Sequence, residues 1–363
     1  MTQAPITVSA PGRICLFGEH QDYLGLPVIA AAVNLRAFLH AEPAPGATLL
    51  ILKPDTRESE SINLRAPIAY EQPRDYFKSG VRVLQKHGAR LDRGLRVTLT
   101  SNIPVSKGCS SSSAICVAWT GLLCRAAGYA PEENFARGIA RLAYEAEVLE
   151  FGEPGGMMDH FASALGGVQY IETTGGFRTE PLFPPGDGAF VLGDSLEPKA
   201  TTAVLSRVKN RVLAGLDYLA FKQPGFNLDH ADPDQAAAAL GADVSEPVRR
   251  AVLGNLRNRD ITRRALDMFR KGDPGGPDLG ALLDAEHAIL RDDLGISTPR
   301  IERLIAAARA AGAAGCKING SGGGGCIFAW CPGDPAPVAA AIAAAGAKAC
   351  LIHIDHGFRE DPS

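Results

Sequence analysis

Apolar runs separated by turn residues predict β-strands over residues 5–55, with turns at Gly25–Pro27 and Pro43–Gly46. The apolar run Ile14–Phe17 predicts a buried strand, and a cluster of ionisable side chains follows it directly. A strand end that delivers converging polar groups is a common setting for a small-molecule site. This part of the chain therefore predicts a sheet with a candidate site at one strand end.

Helical and strand patterns alternate over the next stretch of the chain. Phe77, Val81 and Leu84 recur on one face and predict a helix from Tyr76 to His87. The other elements predicted here are a strand at Gly94–Thr100, a helix after serines 110–112, a helix from Pro131 to about Glu150, a turn, short helix and strand over 155–172, and a strand at Val191–Asp194.

The remaining residues change in character. Residues 201–312 are mostly helical, with breaks near Pro224, Pro233 and Gly272–Pro277, the last being the one predicted linker. A strand, a glycine loop and a second strand follow over 315–330, then an alanine-rich helix and a strand at 349–354. The 363 residues suffice for two domains. We predict a boundary near residue 195, which divides the chain into 1–195 and 196–363.

The composition is that of an ordinary globular protein, with 46% apolar and 21% charged residues and a formal charge of −3. That balance provides no basic surface for nucleic acid or anionic lipid. The first ten residues lack the pattern of a signal peptide, and apolar runs such as Val28–Val33 are far shorter than a membrane span. We expect a cytoplasmic protein.

Eight cysteines are present and none forms a C-x-x-C pair. We therefore expect reduced, mostly buried thiols and no cysteine-based metal site. His353, Asp355 and His356 follow an alternating segment, so we interpret them as a strand end.

A candidate phosphate site lies in the segment N-I-P-V-S-K-G-C-S-S-S-S-A, residues 102–114, which connects a predicted strand to a predicted helix. A helix N-terminus presents free N–H groups and about half a positive charge, and small residues let the backbone approach a ligand. Gly108, Cys109 and Ser110–Ser113 are the candidate phosphate-binding residues. A serine-rich capped turn is the alternative, and there is no Walker motif.

A second glycine-rich segment matches a dinucleotide pattern only in spacing. Gly320, Gly322 and Gly325 satisfy G-x-G-x-x-G, but a strand rather than a helix follows them. We therefore reject the dinucleotide interpretation and expect a loop that covers phosphates or braces another loop.

Carboxylates near residues 145–159 are candidates for metal binding and catalysis. Glu147 falls at the edge of the apolar face of its predicted helix and Glu150 nearer the centre, so periodicity does not select a metal ligand. Asp159 fits either a helix cap or a catalytic carboxylate, and the local sequence favours the cap.

Taken together, these segments resemble the GHMP small-molecule kinases, and galactokinases most closely. The resemblance rests on A-P-G-R-I-C-L-F-G-E-H-Q-D-Y, I-P-V-S-K-G-C-S-S-S-S-A, A-E-V-L-E-F-G-E-P-G-G-M-M-D and K-I-N-G-S-G-G-G-G-C, which span residues 10–326. His160 stands where galactokinases typically have glutamine, and Cys109 where leucine is usual.

The resemblance implies an α+β two-domain GHMP kinase fold. Its N-terminal α/β domain would contain a left-handed βαβ crossover, and its C-terminal domain would be ferredoxin-like. ATP would bind along the phosphate loop. The implied roles are catalysis for Asp159 and Arg13, Mg²⁺ binding for Ser112 and Glu147, and sugar binding for Glu19, His20 and Asp22.

The predicted function is an ATP- and Mg²⁺-dependent sugar kinase that acts on the anomeric (C1) hydroxyl of galactose or a related hexose. Alternatives within the family are kinases for a heptose phosphate, another sugar or uronic acid, or mevalonate. The E-H-x-D-Y segment argues against mevalonate, because an apolar acceptor needs fewer hydroxyl partners. A different class is an inactive sugar-sensing regulator, against which the intact Arg13 and Asp159 argue.

Overall fold

The computed structural model describes residues 4–174, 177–199, 201–272 and 274–361, which form two β-sheets with helices packed around them. The strands are β1 Ile6–Phe17, β2 Val28–Ala44, β3 Thr48–Lys53, β4 Glu58–Asn63, β5 Gly94–Ser101, β6 Val168–Ile171, β7 Thr179–Leu182, β8 Ala189–Asp194, β9 Gly315–Asn319, β10 Cys326–Cys331, β11 Lys348–Ile352 and β12 Arg359–Glu360. The helices are α1 Tyr76–Lys86, α2 Ser111–Ala127, α3 Phe135–Tyr144, α4 Met158–Leu165, α5 Thr201–Lys222, α6 Pro233–Leu240, α7 Glu246–Arg270, α8 Gly276–Asp292, α9 Pro299–Ala310 and α10 Ala336–Ala344.

The first sheet has the order β12-β1-β2-β5-β3-β4, and β6 pairs with both β2 and β7. Its pairs are antiparallel except β3 with β5, which are parallel and connected through β4 and α1. The left-handed sense of this crossover remains a prediction. The β1–β2 register shifts between Pro11 and Arg13, and such an irregularity re-aims a side chain within a strand.

The second sheet has the order β11-β8-β10-β9, and all its pairs are antiparallel. Counted along the chain, this is the order 4-1-3-2 of a βαββαβ ferredoxin-like unit. Helices α5–α9 fill its first connection and α10 its second. The α+β fold and its ferredoxin-like half, both predicted from the resemblance, are confirmed.

The two sheets do not divide strictly at residue 195. Strand β8 precedes that boundary but lies in the second sheet, and β12 follows it but pairs with β1. The segment between β11 and β12 returns beside β2, where Asp355 pairs with the buried Arg36 at 2.9 Å. The domain limits therefore remain a prediction. Each side of residue 195 contributes its last strand to the sheet of the other side.

The helix predicted from Pro131 to about Glu150 begins later than predicted, and its last turn is irregular. Asn134 caps α3 because its side-chain oxygen accepts a hydrogen bond from Ala136 N at 3.0 Å, so Pro131 lies before the helix. The regular helix ends at Tyr144 and continues as a π-helical turn, Glu145–Leu149. Such turns insert a residue and rotate the side chains that follow.

Other differences from the sequence prediction are small. Gly276 and Pro277, expected in a linker, instead begin α8, because proline is well tolerated in a first helical turn. The last predicted strand begins and ends slightly earlier, as Lys348–Ile352. All eight cysteines are free thiols, and only Cys350 is exposed. Within the described residues, no helix is long and apolar enough to cross a membrane.

Candidate active site

A cavity of about 630 Å³ lies where three loops meet. We call residues 18–25 the polar loop, residues 104–110 the phosphate loop and residues 320–325 the glycine loop. Each contributes to the cavity wall, together with the start of α4 and the π turn. The motifs that sequence analysis found far apart along the chain are therefore assembled around one space.

The centre of this site is an ion pair between Arg13 and Asp159. Arg13 Nε donates to Asp159 Oδ1 at 2.8 Å, Nη2 lies 2.7 Å from the same oxygen, and Nη1 donates to the carbonyl of Gly108. Burial opposes ionisation of Asp159, but the adjacent guanidinium outweighs it and holds the pKa of the carboxyl below its ordinary value. Asp159 is therefore a carboxylate at neutral pH, joined to the phosphate loop through Arg13.

Asp159 is not the cap of its helix. Helix α4 begins at Met158, and Asp159 lies in its first turn with its side chain directed to Arg13. The preference of the local sequence for a capping role is wrong, because the partner that fixes Asp159 lies 146 positions away along the chain.

Asp22 presents a second carboxyl group to the cavity. Its Oδ1 accepts from Tyr23 N at 2.9 Å and its Oδ2 from Met158 N at 3.4 Å, at the start of α4. A Cβ atom on Gly156 would lie 2.0 Å from Asp22 Oδ2, so only glycine allows this approach. Burial, together with the negative charge of Asp159, raises the pKa of Asp22 to about 6.

Glu19 and His20 link the polar loop to the glycine loop. Glu19 Oε2 accepts from Gly320 N at 2.6 Å. His20 Nε2 lies 3.1 Å from the carbonyl of Ser321, and its Nδ1 lies 2.8 Å from the Tyr23 hydroxyl. Burial lowers the pKa of His20, so its ring is neutral. Nε2–H then donates to the carbonyl, and Nδ1 accepts from Tyr23.

Both ring nitrogens of His20 are thus occupied by the protein, and its φ of 65° marks a tight turn in the polar loop. His20 is placed to shape the loop that carries Asp22. Direct sugar contact by Glu19, His20 and Asp22 remains a prediction, and among these three the Asp22 carboxyl is the least buried.

A buried ion pair that sequence reasoning missed anchors the polar loop. Glu286 in α8 and Lys317 in β9 are fully buried, with Nζ and Oε1 3.2 Å apart. Glu286 Oε1 accepts from Gly18 N and Glu19 N at 3.0 Å each, and Lys317 donates to the carbonyl of Cys15 at 2.8 Å. The available signal was a lysine inside the apolar strand G-C-K-I-N.

The phosphate loop and the glycine loop pack backbone against backbone. A Cβ on Gly320 would lie 2.7 Å from Gly108 Cα, and one on Gly325 would lie 2.6 Å from the carbonyl oxygen of Lys107. Cys326 N donates to that same oxygen at 2.8 Å, and Asn319 Nδ2 donates to Gly108 O at 2.8 Å. The expectation that one loop braces the other is confirmed.

The phosphate loop fits an anion. Ser106, Gly108 and Ser110 have positive φ angles of 56°, 94° and 58°, and α2 begins directly afterwards at Ser111. Ser110 is buried, and its hydroxyl helps to hold the pKa of the Asp159 carboxyl below its ordinary value. Free N–H groups at the start of α2 face the cavity as donors, as a nucleotide phosphate requires.

Glu147 and Glu150, which helical periodicity could not distinguish, face different surroundings because a π turn precedes Glu150. Glu147 lines the cavity with Ser112, and its Oε2 lies 2.7 Å from His160 Nε2. Glu150 instead contacts the Tyr70 hydroxyl and Lys86. The described residues hold no cluster of three acidic, histidine or cysteine side chains suited to a metal. Ser112 and Glu147 still fit Mg²⁺, which takes few protein ligands when phosphates supply the others.

Relatives that match nearly the whole chain are named for different substrates. The mevalonate kinase of Pyrococcus horikoshii is 31% identical over 358 residues, covering 94% of this chain and 93% of that protein. The galactokinase of Haemophilus influenzae is 27% identical, covering 91% of this chain and 86% of that protein.

Family models match both halves of the chain. Residues 75–167 match the GHMP kinases N terminal domain, and residues 267–348 match the GHMP kinases C terminal model. The chain belongs to the GHMP kinases. This GHMP kinase is therefore an ATP-dependent kinase of a small molecule. Asp159 and the phosphate loop lie within the first match, and the glycine loop lies within the second.

Two further comparisons concern the galactokinase branch of the family. Residues 1–43 of this GHMP kinase, which include Arg13 and the polar loop, match the galactokinase galactose-binding signature. The fold resembles that of Lactococcus lactis galactokinase complexed with galactose, with a TM-score of 0.85 at 21% identity over 99% of this chain and 96% of that chain.

Proposed function

We propose that this GHMP kinase transfers the terminal phosphoryl group of ATP, with Mg²⁺, to a neutral monosaccharide, at the C1 hydroxyl of galactose or a related hexose. The proposal rests on the two carboxyl groups of Asp22 and Asp159, which line the cavity beside the polar loop. We call this part of the cavity the acceptor end. The match of residues 1–43 to the galactose-binding signature supports the same substrate class.

Asp159 and Arg13 would act at the reacting hydroxyl. The ionised Asp159 accepts or orients the hydroxyl proton, and Arg13 keeps this carboxyl deprotonated. The low pKa of Asp159 makes it a weak base. That suffices for phosphoryl transfer, which depends mainly on positioning and charge neutralisation.

The phosphate loop and the N-terminus of α2 would hold the phosphates of ATP, with Gly108, Cys109 and Ser110–Ser113 as the contacting segment. Ser112 and Glu147 would hold Mg²⁺, which when bound offsets negative charge on the phosphates. His160 orients Glu147 through its 2.7 Å hydrogen bond. Hydrogen bonds of this kind fix the direction of a metal-binding carboxylate.

The charges around the acceptor end favour a neutral polyol over an anion. An acidic acceptor would be repelled by Asp22 and Asp159. Of the described lysines and arginines that line the cavity, four are paired with carboxylates: Arg13, Arg74, Lys53 and Lys107. The fifth, Lys199, lies against the phosphate loop. Sugar hydroxyls can instead donate to the carboxylates.

Mevalonate is the second candidate acceptor, because mevalonate kinases such as that of Pyrococcus horikoshii are similar to this chain over nearly its whole length. Its carboxylate would need a cation at the acceptor end. A heptose phosphate or a uronic acid would face the same charge requirement.

A substrate panel tests the proposal. ATP turnover should be measured with galactose, glucose, a uronic acid, a heptose phosphate and mevalonate, and the product identified by ³¹P NMR. We expect a sugar 1-phosphate as the product. The kcat/KM for a neutral hexose should exceed that for every anionic acceptor by at least about tenfold, because an anion would leave one buried charge unpaired. Preferred turnover of mevalonate contradicts the proposal. Sugar binding without any turnover would indicate the regulator.

A further inference from the structure

Lys199 lies between the phosphate loop and the glycine loop, outside every motif found in the sequence. Its ammonium nitrogen is 3.2 Å from the position that a Cβ would occupy on Gly108. Its Cδ is 3.3 Å from the corresponding position on Gly325. The side chain lines the main cavity. Lys199 therefore places a cation directly against the segment that would hold phosphates.

The segment that carries Lys199 is tied to both loops. Ser195 N donates to Gly325 O at 2.9 Å, and the carbonyl of Glu197 accepts from Lys107 Nζ at 2.8 Å. The Glu197 carboxylate also accepts from the Thr298 hydroxyl at 2.6 Å. Proline at position 198 further restricts the backbone. The backbone two residues before Lys199 is therefore held against both loops.

Among the described residues, Lys199 makes no ion pair or hydrogen bond, unlike the cations around it. Lys107 contacts Asp194 at 3.5 Å, and Arg13 is paired with Asp159. Burial and the positive charge of Arg13 lower the pKa of Lys199. An unpaired, partly buried cation is costly, and an anion placed beside it relieves that cost.

We propose that Lys199 binds the terminal phosphate of ATP and stabilises its charge during transfer. The position along the nucleotide follows from Arg13, whose Nη1 donates to the carbonyl of Gly108, the residue beside the Lys199 ammonium. Arg13 also holds Asp159, which must lie next to the transferred group. This inference rests on ATP-dependent transfer in the proposed function and is independent of which acceptor is used.

Nucleotide binding by the variant Lys199→Met tests the proposal. Calorimetry with Mg²⁺ would compare a non-hydrolysable ATP analogue with ADP, for the wild type, Lys199→Met and the control Lys271→Met. Lys271 is exposed at the end of α7 and does not line the cavity. We expect Lys199→Met to weaken binding of the triphosphate by at least about tenfold, as for the loss of one charge-assisted hydrogen bond. Binding of ADP should weaken by much less.

Unfolding of the unliganded protein provides a readout separate from binding. Lys199→Met should keep or raise the melting temperature, because it removes an unpaired buried charge. If that variant does not fold, Lys199→Gln carries the same test. Unchanged affinity for the triphosphate overturns the proposal, and so does an equal loss for ADP and triphosphate.

The proposal is also overturned if Lys199→Met weakens binding of an anionic acceptor but not of the nucleotide, because Lys199 would then recognise the acceptor. Failure of the galactose assignment would appear only in the acceptor panel, so the two failures are distinguishable.

Discussion

This cavity has a proposed nucleotide end, at the phosphate and glycine loops, and a proposed acceptor end, at the polar loop. The two ends are built by different means. At the nucleotide end, backbone atoms of Gly108 and Lys107 contact the glycine loop closely enough to exclude any side chain at Gly320 or Gly325. At the acceptor end, a few side chains face the cavity on a loop anchored from beneath by Glu286. Backbone cradles leave little room for variation, whereas single side chains can change freely.

The relatives of this chain include kinases that are named for different acceptors. The Pyrococcus horikoshii mevalonate kinase and the Haemophilus influenzae galactokinase are both similar to nearly all of this chain. We expect such relatives to share the nucleotide end and to differ at the acceptor end, because fold and overall identity do not fix the acceptor. If the two ends are separable in this way, substitutions at one end should leave the other unaffected.

The largest effect is expected at the junction between the two ends. Asp159→Asn should lower kcat by at least about 10²-fold, because the amide cannot accept the hydroxyl proton. Steady-state kinetics with the best acceptor measures the effect, and thermal unfolding shows whether the fold is kept. Near-normal turnover in a folded variant would leave Asp159 with a structural role only.

A glycine substitution at the nucleotide end should weaken the binding of ATP and leave the binding of sugar unchanged. Gly325→Ala places a Cβ 2.6 Å from the carbonyl oxygen of Lys107 at a φ of 86°, so the phosphate loop must shift. We expect the KM for ATP to rise at least about tenfold, as for a penalty of 1–3 kcal/mol, with little change in sugar affinity. Gly333→Ala, where nothing lies within 4 Å, is the matched control. An equal loss of sugar affinity would mean that the two ends are not separable.

The metal assignment contrasts two neighbouring glutamates. Glu147→Gln should raise the Mg²⁺ concentration needed for half-maximal rate by several fold, because a neutral amide is a poorer ligand than a carboxylate. Glu150→Gln is the control, since Glu150 contacts Tyr70 and Lys86 instead of lining the cavity. A Mg²⁺ titration of both variants measures this. Greater sensitivity at Glu150 would refute the assignment.

The smallest effect concerns the acceptor end and pH. The pKa of Asp22 rises from 3.8 to about 6 on folding, so its protonated form stabilises the fold at low pH, and that contribution is lost as pH rises through this range. As the pH rises from 4 to 6, the melting temperature of Asp22→Asn should therefore increase relative to that of the wild type. The exposed Asp187→Asn is the control. A difference that stays constant with pH would contradict the burial of Asp22.

Much of the site was predictable from the sequence by itself. The phosphate loop, the helix after it and the glycine loop are contiguous segments whose residue types restrict the local backbone, so pattern alone placed them between the correct elements. The resemblance to GHMP kinases selected Arg13 and Asp159 as partners, and it added the two-domain α+β fold with its ferredoxin-like half.

Only the tertiary structure decided what depends on distant residues or on irregular backbone. The Glu286–Lys317 anchor joins positions far apart along the chain, so no local pattern reports it. The π turn rotated Glu147 toward the cavity and Glu150 away, which a regular helical period does not allow. Lys199 carried no signal in its own segment. It became a candidate because folding places it, without a described partner, beside Gly108.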